Sequence, residues 1–120
     1  GLLHLLPEST GTVFDLPDVV ARATHHERLT AVAGDMFREA PAGFDTYLLV
    51  NVLHDWGDVE VVTVLRNLAA VAGSARILVV DSDVRMPPRN RLSTSTDVLM
   101  AALTDGGCER NRDQFSSLAA

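Results

Sequence analysis

Short apolar runs alternate with longer amphipathic stretches along this chain, and the alternation predicts its elements. Residues 12–16, 29–33, 44–53 and 76–81 read as strands, because apolar and β-branched residues crowd there between Gly, Pro and Asp. The run Ile77-Leu78-Val79-Val80 has no polar break, the pattern of a parallel strand buried on both faces. Helical spacing covers 59–72, where Val62, Leu65, Ala69 and Ala72 share a face. Asp58 is placed to cap that helix and Gly73 to close it. Shorter helices are expected at 2–6, stopped by Pro7, and from Pro17 through Ala23, with proline at its favoured first position. Two more are expected at 93–103 and 112–118, while Pro41-Ala42-Gly43 reads as a turn and 85–91 as a polar loop.

Strands alternating with helices predict an α/β fold with a mostly parallel sheet. Each strand runs into a polar or acidic group: Asp15, Asp35 behind Gly34, His54-Asp55, and Asp81. In open parallel sheets the carboxyl ends of the strands line one crevice, so these four ends are expected to converge on one site.

Composition narrows the function. At 120 residues and 47% hydrophobic, the chain suits one small domain with a real core. Its net charge of -6, and basic residues that are all Arg and scattered, argue against a nucleic-acid partner, which needs a basic patch. No apolar run approaches the ~20 residues that span a bilayer, and residues 1–6 lack the basic start of a secretory leader. Cys108 is alone, so no disulfide forms within the chain; this suits a reducing cytoplasm, and the thiol is expected to be a small buried residue. His25-His26 and Asp81-Ser82-Asp83 lack the spacing of zinc or calcium sites, and no metal is expected. The chain starts without Met inside a helical pattern, and is expected to be an internal piece of a longer protein.

Each candidate residue has a plain reading beside the chemical one. Asp15 suits ribose hydroxyls, and suits equally a helix N-cap before Pro17. In Gly34-Asp35-Met36-Phe37 the glycine permits close backbone approach, Asp35 can accept from an exocyclic amine, and Met36 and Phe37 can pack on a flat heterocycle. The same four residues also suit a turn with two core side chains. His54 is either a general base or a histidine satisfied by backbone at a strand end. A base needs an orienting group that reaches it through space. Asp55 is expected to point away, because neighbours on a strand face opposite sides. Asp81 and Glu109 are the two candidate orienters, and their plain roles are a strand-end cap and a surface pairing with Arg.

Taken together, the chain resembles the catalytic domain of the S-adenosylmethionine (SAM)-dependent O-methyltransferases of the plant caffeate and bacterial polyketide type. The resemblance rests on the motifs from Phe14 to Val20, Gly34 to Phe37, Val52 to Trp56 and Ile77 to Asp81, followed by Gly106-Gly107-Cys108-Glu109-Arg110 and Phe115. They occur in order over essentially the whole chain. The resemblance implies a Rossmann-like class I methyltransferase sheet with flanking helices, incomplete because the first strand and the last strands are missing. It also implies that residues 1–120 are a partial SAM-binding catalytic domain without the helical N-terminal domain that dimerises family members. The isolated piece is expected to be unstable and inactive.

The implied reaction moves a methyl group from SAM to a hydroxyl of a small phenolic or polyketide-like molecule. Asp15 would bind the cofactor ribose, and Asp35 and Met36 its adenine, with Phe37 nearby. His54 would take the proton of the hydroxyl, flanked by Asp81 and Glu109. A phenol, with a pKa of about 10, is a poor nucleophile at neutral pH until such a base acts. Val50 stands where many plant members carry a lysine four residues before the histidine, and the Gly-rich loop of the family would lie upstream of Gly1. The alternatives are a relative that keeps the cofactor for hydroxylation or decarboxylation, a non-catalytic cofactor-binding protein, and a nicotinamide-dependent dehydrogenase, which Asp15 alone would permit. Expected partners are a small aromatic hydroxyl substrate and a second copy of the full-length protein, with no nucleic acid or membrane.

Overall fold

A computed structural model describes residues 2–81, 107, 108 and 110–120. It has two compact units, Gly1–Pro41 and Ala42–Ala120.

The first unit pairs two parallel strands, β1 (Gly11–Asp15) and β2 (Leu29–Ala33), in register from Gly11 opposite Leu29 to Asp15 opposite Ala33. Helix α1 (Leu2–Leu5) precedes β1, and the single turn α2 (Pro17–Val20) follows it. Helix α2 is shorter than the pattern suggested, and its N-cap is Leu16, not Asp15. The Arg28 guanidinium donates to the carbonyls of Leu3, Leu6, Pro7 and Ser9 at 2.6–3.0 Å. It therefore satisfies the open carbonyl end of α1 and ties that end to the start of β2.

The second unit is a βαβ arrangement. Strands β3 (Thr46–Val50) and β4 (Arg76–Val80) pair in parallel, with Thr46 opposite Arg76 and Val50 opposite Val80. Helix α3 (Asp58–Ala72) connects them and packs on both. Gly73 ends it at φ +54, a left-handed conformation that glycine adopts without strain. Tyr47 and Leu49 on β3, Leu53 beyond it, and Val61, Val64 and Leu68 on α3 form the buried core. The buried face of α3 is thus one position out from the expected one: Val62, Leu65 and Ala72 are half-buried and Ala69 is exposed. Nor does Asp58 cap it; Gly57 is the N-cap and Asp58 the first helical residue. Helix α4 (Arg112–Ala119) packs on α3 and opens with a reciprocal cap, Asn111 accepting from the Gln114 N–H and Gln114 from the Asn111 N–H.

Strand β4 is not buried on both faces. Leu48 and Val50 pair with Leu78 and Val80 on the side away from α3, and all four are exposed among the described residues. Cys108 is half-buried, not enclosed. The loop expected at 85–91 and the helix at 93–103 lie outside the described residues.

The end of β3 decides where the site goes. The strand stops at Val50, not at Leu53, because Asn51 adopts φ +53 while its N–H still donates to the Val80 carbonyl at 2.9 Å. Asn tolerates this left-handed conformation better than most residues. Replacing Asn51 by Val is expected to lower the unfolding free energy of the full-length protein by about 1–2 kcal/mol, and Asn51→Gly to leave it nearly unchanged. Equal denaturation midpoints for the two variants would show that this dihedral carries no strain.

Candidate active site

Beyond Asn51 the chain forms one tight turn, Leu53–Asp55, which carries His54. Leu53 anchors it, fully buried in the core. His54 is therefore presented by a turn and not by the strand itself. Asp81 follows β4 directly, and parallel pairing brings the ends of β3 and β4 together. One oxygen of Asp81 accepts from the His54 backbone N–H at 3.2 Å, and the other lies 2.5 Å from His54 Nδ1. The Asp81 side chain is 3% exposed and that of His54 17%. A carboxylate only accepts, so Nδ1 faces Asp81 as a donor, and in the neutral imidazole Nε2 is then the acceptor.

Asp55 does not point away. Its Oδ1 lies 3.3 Å from His54 Nε2, with the carboxylate 45% exposed. The alternation expected of a strand does not apply, because both residues sit on a turn. The imidazole thus lies between two carboxylates, Asp81 on one nitrogen and Asp55 on the other. Glu109, the other expected orienter, lies outside the described residues.

Arg110 stands out in the sequence only as the last residue of the motif Gly106–Arg110. It is 2% exposed. Its guanidinium donates to the Leu53 and Trp56 carbonyls on either side of His54-Asp55, and to the Asp58 carboxylate. An oppositely charged residue at Asp58 was the single sequence signal; the carbonyls it binds have none.

In the first unit, Asp15 and Asp35 share the carboxyl end of the β1–β2 pair, since Asp15 pairs with Ala33 and accepts the Gly34 N–H at its carbonyl. Asp15 is exposed, and its Oδ1 takes the Leu16 N–H at 2.7 Å. Asp35 Oδ1 accepts from the Phe37 N–H at 2.9 Å, while its carbonyl accepts from the N–H groups of Arg38 and Glu39. Asp35 therefore shapes a turn that holds Met36 and Phe37 half-buried. Gly34 is required here: a Cβ on it would collide with the edge of the Phe14 ring. Gly34→Ala is expected to destabilise the full-length protein by about 1–3 kcal/mol through overpacking, and Phe14→Leu in the same chain to recover part of that loss. A thermal melt unchanged by Gly34→Ala would show that the ring moves aside freely. No group of three metal-ligating side chains occurs among the described residues, and no helix there is long and apolar enough to cross a membrane.

Parallel strand pairs ending in acidic residues mark part of an α/β domain, and the solved structures that the chain matches give it the class I methyltransferase fold. The chain belongs to the O-methyltransferase domain family, whose model matches residues 2–120. It is 36% identical over 123 residues to myricetin 3-O-methyltransferase 3 of Solanum habrochaites, covering 98% of this chain and 34% of that protein. It is 34% identical to the mitomycin biosynthesis 6-O-methyltransferase of Streptomyces lavendulae, covering 98% of this chain and 35% of that one. The crystal structure of human N-acetylserotonin methyltransferase in complex with SAM superimposes with a TM-score of 0.86 at 28% identity, covering 98% of this chain and 35% of that chain. The chain thus spans about a third of the length of the curated relatives it matches.

Proposed function

We propose that the full-length protein is a SAM-dependent O-methyltransferase acting on the hydroxyl of a small phenolic or polyketide-like molecule, with His54 as general base. The observation that carries this reading is the Asp81 carboxylate on His54 Nδ1, which in the neutral imidazole makes Nε2 the acceptor. The related myricetin and mitomycin-biosynthesis O-methyltransferases and the SAM complex of a solved relative support the reaction class and the cofactor.

The residues of the first unit fit SAM. The Asp15 carboxylate suits ribose hydroxyls, Asp35 an exocyclic amine, and the half-buried Met36 and Phe37 the faces of an adenine. Gly34 lets the backbone come close. When bound, SAM supplies a methyl group on a sulfonium that departs as a neutral thioether, so no leaving anion needs stabilising.

The protein's own part is to hold the hydroxyl and move its proton. His54 Nε2 takes the phenolic proton as the oxygen forms its bond to the methyl carbon. The imidazolium then has a carboxylate at each N–H, Asp81 at Nδ1 and Asp55 at Nε2, 3.3 Å away before the proton arrives. Asp55 is thus placed to receive what the base has collected. Glu109 is the remaining acidic residue assigned to this histidine. A dimer in the cytoplasm, formed through a helical N-terminal domain, completes the reading.

The test is the full-length protein with methyl-labelled SAM and a panel of phenols. Label transferred to a phenolic oxygen is the expected result. SAM binding with no transfer to any hydroxyl would instead place the protein with the non-methylating cofactor binders.

A further inference from the structure

Arg110 is a cation buried to 2% exposure, and such burial is costly unless every donor is matched. Here it is matched. Nε and Nη2 donate to Asp58 Oδ1 at 2.9 and 2.7 Å, Nη2 also to the Trp56 carbonyl at 2.8 Å, and Nη1 to the Leu53 and Cys108 carbonyls at 3.1 and 3.3 Å. A guanidinium has five N–H donors, and five hydrogen bonds use them. The pattern of acceptors is informative. Leu53 and Trp56 bracket His54-Asp55, and Asp58 starts α3 immediately after. One planar group therefore holds both ends of the turn that carries the base to the first turn of the helix behind it. Asp81 holds the ring and the His54 backbone N–H in the middle of the turn, but it does not reach the turn's two ends.

We propose that Arg110 is a positioning residue: it clamps the Leu53–Trp56 segment and so sets where His54 Nε2 stands relative to the reacting hydroxyl. It touches neither substrate nor cofactor in this role and acts only through His54. Lysine cannot replace it, because an ammonium is a point donor and cannot span two carbonyls and a carboxylate in one plane.

The inference rests on His54 being the base, and the test separates the two. In the full-length protein, Arg110→Lys is made alone and in a His54→Ala background, with kcat and both KM values measured. Alone it is expected to lower kcat about tenfold to a hundredfold, the order a misplacement of roughly 1 Å costs, with KM for SAM unchanged. In the His54→Ala background the same change is expected to alter kcat by less than about twofold, because residues acting as a unit are not additive. An equal loss in both backgrounds means that Arg110 only supports the fold, and overturns the proposal. If His54→Ala itself leaves kcat within about threefold, the base reading fails and takes the proposal with it.

Should Arg110→Lys not fold, Asp58→Asn gives the second arm, since the Asp58 side chain is 67% exposed. It removes the acceptor's charge, leaving weaker bonds charged only at the guanidinium, and is expected to lower kcat about threefold to tenfold with His54 present. With His54 absent it is expected to have no effect, and equal losses again overturn the proposal.

Discussion

His54→Ala is expected to lower kcat of the full-length protein by about 10²–10⁴-fold, the usual contribution of a positioned general base. The argument is geometric. A neutral imidazole has one donor and one acceptor nitrogen. Asp81 takes the donor at 2.5 Å, so the acceptor is the nitrogen turned away from it. No other neutral acceptor of this kind occurs on the Leu53–Asp55 turn. KM for SAM is expected to hold, because Asp15, Asp35, Met36 and Phe37, and not His54, are the residues assigned to SAM. Asp81 loses its ring partner in the variant, so some stability goes as well, and a melting curve taken beside the kinetics separates that loss from chemistry. A kcat within about threefold of the parent would take the base role from His54 and assign the rate to orientation by other groups.

The frame of this site was legible in the sequence, because apolar runs ending in acidic residues mark strands and their carboxyl ends. Strand β2 falls where the pattern put it, and Asp81, one of the two candidate orienters, lies against His54 Nδ1. The end of β3 was not legible. Val50, Val52 and Leu53 continue a strand pattern, and only a positive φ at Asn51 stops it. One dihedral therefore moved His54 from a strand to a turn and brought Asp55 to its Nε2, where alternation had sent it away. Helix α3 misled for another reason. It carries overlapping apolar faces, 59/62/65 and 61/64/68, and which one is buried depends on what packs against it, not on period. The role of Arg110 was not legible because the two acceptors that bracket His54-Asp55 are backbone carbonyls more than fifty positions distant.

Asp81→Asn is expected to be at least as damaging as His54→Ala, and more damaging than Asp81→Ala. Asp81 uses two oxygens on one histidine, Oδ2 on the backbone N–H at 3.2 Å and Oδ1 on the ring at 2.5 Å. Asparagine has one oxygen and one NH₂ to put in those places. If its oxygen keeps the backbone N–H, which is a fixed donor, the NH₂ faces Nδ1. Nδ1 must then be the acceptor, the proton moves to Nε2, and Nε2 no longer takes one from a hydroxyl. If the amide flips, its NH₂ meets the backbone N–H, two donors facing each other where Asp81 is only 3% exposed. Either arrangement is wrong, and a reversed tautomer of this kind costs up to about 10⁴-fold in kcat. Alanine imposes neither: it loses the orientation of the ring but lets Nδ1 keep its proton. The ordering of the two variants is the measurement. Asn below Ala in kcat, with SAM binding intact in both, is the expected result. If Asn matches the parent rate, the carboxylate does not set the tautomer. If Asn and Ala fall equally, Asp81 acts through its charge, stabilising the imidazolium after proton transfer, and not through the placement of the proton before it.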